Sequence, residues 1–106
     1  MDKFAQIIWT FEAKDDLLNI VEYITKDSFQ NAFNINALIL GSIEKLERYP
    51  EIGSFVNLES TYIYRRILVK SFRIIYTYQN DKIYVAVIQH QKRLLPQQIN
   101  FIEKYL

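Results

Sequence analysis

The side chains able to move protons or hold phosphates lie mostly in the second half of the chain. His90 is its single histidine, and histidine is the side chain whose ordinary titration best suits proton transfer near neutral pH. Arg66, Lys70, Arg73, Lys92 and Arg93 are cations of the same half that could face a polyanion. Metal-free RNA cleavage would need three roles. A base must take the proton of the 2′-hydroxyl, cations must meet the extra transition-state charge, and an acid must protonate the leaving oxygen. The absence of cysteine excludes a thiolate nucleophile, a disulfide framework and a Cys-based metal site. With one histidine a His-rich metal site is excluded too, and no cofactor is expected.

The net charge of +1 conceals a split. Residues 1–60 hold five Lys/Arg against ten Asp/Glu, and residues 61–106 hold eight against two. Residues 63–80 carry four cations and no acid among alternating apolar positions. Like charges crowded on a small sheet cost stability unless an anion sits there. A face turned toward a polyanion is therefore expected, with RNA or DNA as candidates. Aromatic residues interleave with these cations, and β-propensity accounts for the tyrosines more simply than base stacking does.

The 106 residues make one domain, half of them hydrophobic, with two glycines and two prolines, which excludes a disordered or linker-rich chain. No signal peptide and no run of ~18 apolar residues is present, so a cytoplasmic protein without membrane contact is expected. The apolar run 4–10 reads as a strand, and Thr10 as the N-cap of a helix over 11–26 with Ala13, Leu17, Ile20 and Ile24 on one stripe. Ser28 opens a second helix over 28–49, with Ala32, Ile35, Ile39, Ile43 and Leu46 inward, until Pro50 and Gly53 break it. The two helices form an antiparallel hairpin, because neither buries its stripe alone. The period then changes to two. Strands are expected at 62–70, 71–79 and 83–90, then a loop to Leu95 and a short helix opened by Pro96.

With corners at Lys70/Ser71 and Asn80/Asp81, one sheet face gathers Ile63, Arg65, Ile67, Val69, Phe72, Ile74, Tyr76, Tyr78, Ile83, Val85 and Val87. The helices must cover that face, and Arg65 at its margin should meet an acid. The opposite, open face would carry Arg66, Lys70, Arg73, Thr77, Tyr84 and His90, with Leu68, Ile75, Ala86 and Ile88 between them. On this reading Arg73 either lines a phosphate site or pairs with a helix acid, and His90 is either a base or a hydrogen-bonding surface group.

Four segments resemble the RelE/ParE toxins in order and spacing. They are Ala13-x-x-Asp16-Leu17-x-x-Ile20-x-x-Tyr23-Ile24 after Trp9-Thr10, Leu46-x-x-Tyr49-Pro50-x-x-Gly53, Phe72-Arg73-Ile74-Ile75-Tyr76, and Val87-Ile88-Gln89-His90-Gln91-Lys92-Arg93. The resemblance covers nearly the whole chain and implies a single toxin-like domain over 1–106. It implies an α+β fold: an N-terminal strand and helical hairpin packed on a twisted antiparallel sheet, with a short C-terminal helix. It also implies the toxin of a type II toxin–antitoxin module, of the kind also labelled plasmid stabilisation proteins.

RelE-type members cut mRNA at the ribosome without metal, whereas ParE-type members poison DNA gyrase. The hairpin and the Pro-x-x-Gly corner look more like the ParE branch. By resemblance, Arg73 and Arg93 stand where RelE-type members place phosphate-binding arginines, and Arg66 where they place a catalytic lysine. Tyr64 replaces a second lysine, Ile99 or a neighbour replaces the tyrosine acid/base, and His90 could substitute for it. The expected function is a ribosome-dependent, metal-independent endoribonuclease (mRNA interferase), with two alternatives: a gyrase poison without enzymatic activity, and a degenerate toxin that only binds antitoxin. The expected partners are a cognate antitoxin and either ribosome with mRNA or DNA gyrase, in a homodimer or a toxin–antitoxin hetero-oligomer.

Overall fold

In the computed structural model, which describes residues 4–96 and 99–106 (the side chains of Asn100 and Phe101 excepted), the period-two half of the chain folds into three long strands. They are β3 (Tyr64–Val69), β4 (Phe72–Gln79) and β5 (Lys82–His90), joined by tight turns. At the second turn Asn80 and Asp81 both take positive φ, and at the first Lys70 does, with φ of 54°. Two more strands complete the sheet: β1 (Gln6–Trp9) beside β5, and β2 (Ser54–Val56) beside β3, in the order β1-β5-β4-β3-β2. β2 was not expected from the sequence, since three residues are too few to show a period. The β1–β5 pair is parallel and all others antiparallel, so the sheet is mixed at that one edge.

Helix α1 (Phe11–Thr25) opens on Thr10, whose hydroxyl accepts from the Ala13 amide at 3.1 Å. The same hydroxyl donates to the Val85 carbonyl at 2.8 Å, tying the helix start to β5. Ser28 caps α2 (Phe29–Glu44) by accepting from the Asn31 amide. A single 3-10 turn over Lys45–Glu47 follows, so the second helix ends earlier than its apolar stripe suggests. Helix α3 (Asn100–Glu103) lies after the expected helix start at Pro96, part of which falls outside the described residues. Among the described residues, no helix is long and apolar enough to cross a membrane.

The hairpin covers one sheet face, as the stripes require. Ala13, Ile39, Ile43 and Leu46 pack against Val69, Ile74, Tyr76, Ile83 and Val85, with Ile67 and Phe72 at the margin. Ile63 lies before β3 and is exposed. Arg65 meets its acid: a guanidinium nitrogen lies 3.9 Å from the Glu51 carboxylate, and the group stacks 4.5 Å over Phe55.

Two expectations about the other face fail, each for a physical reason. First, the β4–β5 register shifts between Ile75, opposite Val87, and Tyr76, opposite Val85. Ala86 is the extra residue of a β-bulge, and the parity of β5 reverses beyond it. Val87 leaves the helix-covered face, and Ile88 joins the core under the helices. Second, the opposite face is not open. Tyr64, Ile75 and Ala86 form a second cluster with Ile99 and Ile102, and Val56, Leu58, Leu95 and Tyr105 pack around it. The C-terminal segment is held down by Ser60 donating to Glu103 at 2.6 Å and the Phe11 amide donating to the Tyr105 hydroxyl at 3.1 Å.

Candidate functional site

The bulge decides where the chemistry lies. Arg73 and Gln89 face each other across β4 and β5 on the face covered by the C-terminal segment. Phe72 and His90 face each other on the helix side, with ring centroids 5.5 Å apart at 75°. The structure therefore separates His90 from Arg73, which the uninterrupted alternation had placed together. His90 is half-buried, and its Nδ1 accepts from the Lys92 amide at 3.0 Å.

Arg73 is buried, with 6% exposure. Its guanidinium donates to the carbonyl of Arg93, and among the described residues its Nε has no hydrogen-bond partner. Gln89 beside it donates to the Leu94 carbonyl at 3.1 Å. These buried donors hold the loop that leaves β5, and Arg73 meets no helix acid. Further bonds fix the same loop. The Gln91 amide donates to the Ser71 carbonyl at 2.8 Å, its side chain donates to the Lys70 carbonyl at 2.8 Å, and the Arg93 amide donates to the His90 carbonyl at 3.0 Å. Lys70, Lys92 and Arg93 are consequently presented, exposed, on two turns stitched together. Arg66 is half-buried on the face shared with Arg73.

His90 and Arg93 do meet, in a cavity of about 630 Å³ between α1 and the end of β5. Asp16, Tyr23, Phe72 and Gln89 also line it, and Arg73 is absent from its wall. On the other side of Phe72 and His90 lies a second cavity of about 760 Å³, reaching Asn31, Asn34 and Lys70.

Asp16 is the site residue that sequence reasoning passed over, naming it only as part of a family motif. Its carboxylate accepts from the Ile88 amide at 3.0 Å, on the stretch of β5 that extends past β1. Burial pushes its carboxyl above the usual carboxylate range. Asp15 and Glu12 add to that push, while the Ile88 bond and the Arg93 charge oppose it. A carboxyl whose folded pKa is raised makes folding less favourable as pH climbs from the ordinary carboxylate range through the raised value. Asp16→Asn keeps an acceptor for Ile88 and cannot ionise. Its melting temperature relative to the wild type should therefore rise between about pH 4 and neutrality. A difference independent of pH would show that Asp16 ionises without cost. Asp16→Ala, which orphans the Ile88 amide, should lose about 1–3 kcal/mol of stability.

Tyr64, which by resemblance stands in the place of a second lysine, is 1% exposed. Burial, reinforced by the Glu103 charge, pushes its phenol up to about 12. A group buried and shifted in this way is poorly matched to proton transfer at neutral pH.

Comparison with curated proteins finds no match. Among solved structures, the fold is similar to one described as the chromosomal ParDE TA system from P. aeruginosa. The identity is 18%, the TM-score 0.68, and the match covers 82% of this chain and 96% of that one. A likeness at that identity speaks for the fold. The family model of the ParE toxin of the parDE type II toxin–antitoxin system matches residues 7–95, which takes in α1 and α2, strands β2 to β5, β1 except Gln6, and the loop carrying Lys92 and Arg93. The chain belongs to the ParE toxin family of type II toxin–antitoxin systems.

Proposed function

We propose that this toxin disables DNA gyrase by binding it, and that it cuts no RNA. The observation that carries this reading is the separation of His90 from Arg73 by the sheet itself. In-line cleavage needs base, acid and phosphate-binding cations around one phosphate. Here the guanidinium of Arg73 is taken up by the Arg93 carbonyl, Tyr64 is buried, and Arg93 alone of the two arginines shares a cavity with His90. What remains is a surface suited to binding: a cavity of mixed lining, with Ile20, Tyr23 and Phe72 beside Asp16, His90 and Arg93, and two ordered turns bearing Lys70 and Lys92. Membership of the ParE family favours gyrase over the ribosome as the target.

The cognate antitoxin, in this reading, covers the outside of the hairpin. Leu18, Phe29, Phe33 and Leu40 are exposed there, by 55%, 73%, 61% and 42%. Between the helices lies a largely apolar cavity of about 430 Å³ formed with Trp9, Leu17 and Val21. Large exposed apolar side chains clustered in this way mark a protein-binding surface.

Induction of the toxin in cells, followed by mapping of mRNA 5′ ends and of chromosomal breaks, tests the proposal. Transcripts should stay intact while breaks appear that a gyrase-inactivating background removes. New mRNA ends at ribosome-protected positions, without such breaks, would replace this reading with the endoribonuclease.

A further inference from the structure

We propose that the two stitched turns at the exit of β5 form a binding site for the phosphate backbone of duplex DNA, with Lys70, Lys92 and Arg93 as its contacts. This deepens the gyrase reading, because it has the toxin engage gyrase while the enzyme holds DNA.

Charge is the first observation. Segments 61–80 and 82–102 contain no Asp or Glu. The two acids of the second half lie elsewhere: Asp81 in the turn at the opposite end of β4 and β5, and Glu103 in the bond from Ser60. Among the described residues, no carboxylate lies within ion-pair distance of Arg66, Lys70, Arg73, Lys92 or Arg93. The nearest carboxylate to act on one of them is Asp16, whose titration feels the Arg93 charge from across their shared cavity. Among the described residues Lys70 and Lys92 have no such acid, and Arg73 is buried without a counter-ion. A nearby anion would relieve that repulsion.

Construction is the second. Long flexible cations normally lose entropy on gripping a ligand. Here the backbones that carry them are already fixed by the bonds from Gln91 to Ser71 and Lys70, from Arg93 to His90, and from Arg73 and Gln89 to the loop carbonyls. Arg73 is a positioning residue in this account: it touches no ligand and sets the path of the loop that presents Arg93.

The shape of the tip selects the occupant. Lys70, Ser71, Gln91, Lys92 and Arg93 are all exposed and polar, and the apolar groups nearest them, Leu94 and Phe72, belong to the two flanking cavities. An acidic peptide needs buried apolar anchors for most of its affinity. A phosphate backbone is held by exposed cations through release of its condensed counter-ions, without such anchors.

The test is a titration of the purified toxin with a labelled duplex of ~20 base pairs and with a single-stranded RNA of the same sequence, between 50 and 200 mM salt. Three phosphate contacts predict a slope of log affinity on log salt near −2.7, about a 40-fold loss across that range. Lys70→Gln, Lys92→Gln and Arg93→Gln should each reduce the slope by about one, and the triple variant should lose measurable binding. Circular dichroism and melting of these surface variants should match the wild type, which separates lost contacts from lost structure. Absence of duplex binding at 50 mM salt, a slope unchanged in the triple variant, or RNA preferred over the duplex would each overturn the proposal. So would a triple variant that loses antitoxin binding yet keeps its DNA affinity. Gyrase is absent from the measurement, so failure of the gyrase reading would show separately, in the breaks described above.

Discussion

Ile74→Asp should leave no folded domain. Ile74 is fully buried in β4, the central strand, between Ile67 of β3 and Ile88 of β5. It belongs to the cluster formed with Ile39, Ile43 and Leu46 of the hairpin. Removing the aliphatic side chain alone costs about 2–5 kcal/mol. An unpaired carboxylate at that depth adds several more, either as a buried charge or as a forced protonation. Together these approach or exceed the roughly 5–15 kcal/mol available to a domain of this size. Ile74→Val, which removes one methylene, should cost only about 0.5–1.5 kcal/mol and keep a cooperative melt. Circular dichroism with thermal unfolding separates the cases. A soluble Ile74→Asp protein with a sharp transition would contradict the assignment of this face to the core.

Gly53→Ala should be the most damaging small substitution outside the core. A β-carbon there would lie 2.7 Å from the Tyr76 hydroxyl and 2.8 Å from the Arg66 carbonyl oxygen. The space is taken because the Tyr76 hydroxyl accepts from the Gly53 amide at 3.0 Å and donates to the Pro50 carbonyl at 2.8 Å. The Pro50-x-x-Gly53 corner is thus clamped onto β4. It directs the chain into β2, and the Gly53 carbonyl itself accepts from Arg65 at 2.9 Å. Overpacking of this kind costs about 1–3 kcal/mol, with the upper part of that range expected because one clashing atom is backbone. Tyr76→Phe frees part of the space while leaving Pro50 and Gly53 unsatisfied. The double variant should therefore cost less than the sum of the singles. Additive losses in urea melts would mean that the corner and Tyr76 are not coupled.

The same corner shows what was legible in the sequence. Gly53 and Pro50 mark a helix end from composition alone, and the apolar stripes of α1 and α2 assign the covered face at Ile67, Val69, Ile74, Ile83 and Val85. Alternation works there because one side of β3 faces the helices and the other is partly wet, with Leu68 56% exposed. It fails in β5, where both faces are buried and residues 85–88 are continuously apolar. No alternation remains to reveal which residue is extra, so the bulge at Ala86 was hidden, and with it the side on which His90 emerges. The C-terminal cover of the opposite face was not legible either, since Ile99 and Ile102 meet Tyr64 and Ile75 only across the fold. Asp16 was obscured for a similar reason. Its partner is a backbone amide 72 residues away, at a strand edge that exists only because β1 is short.

The most direct test of the central claim uses purified gyrase and plasmid DNA, with the toxin as the only addition. Binding toxicity predicts that the toxin inhibits supercoiling and that detergent treatment releases broken DNA covalently attached to the enzyme, while an RNA added to the same mixture stays full length. Undisturbed supercoiling alongside cleavage of the RNA would contradict the account and return His90 and Arg93 to catalytic roles.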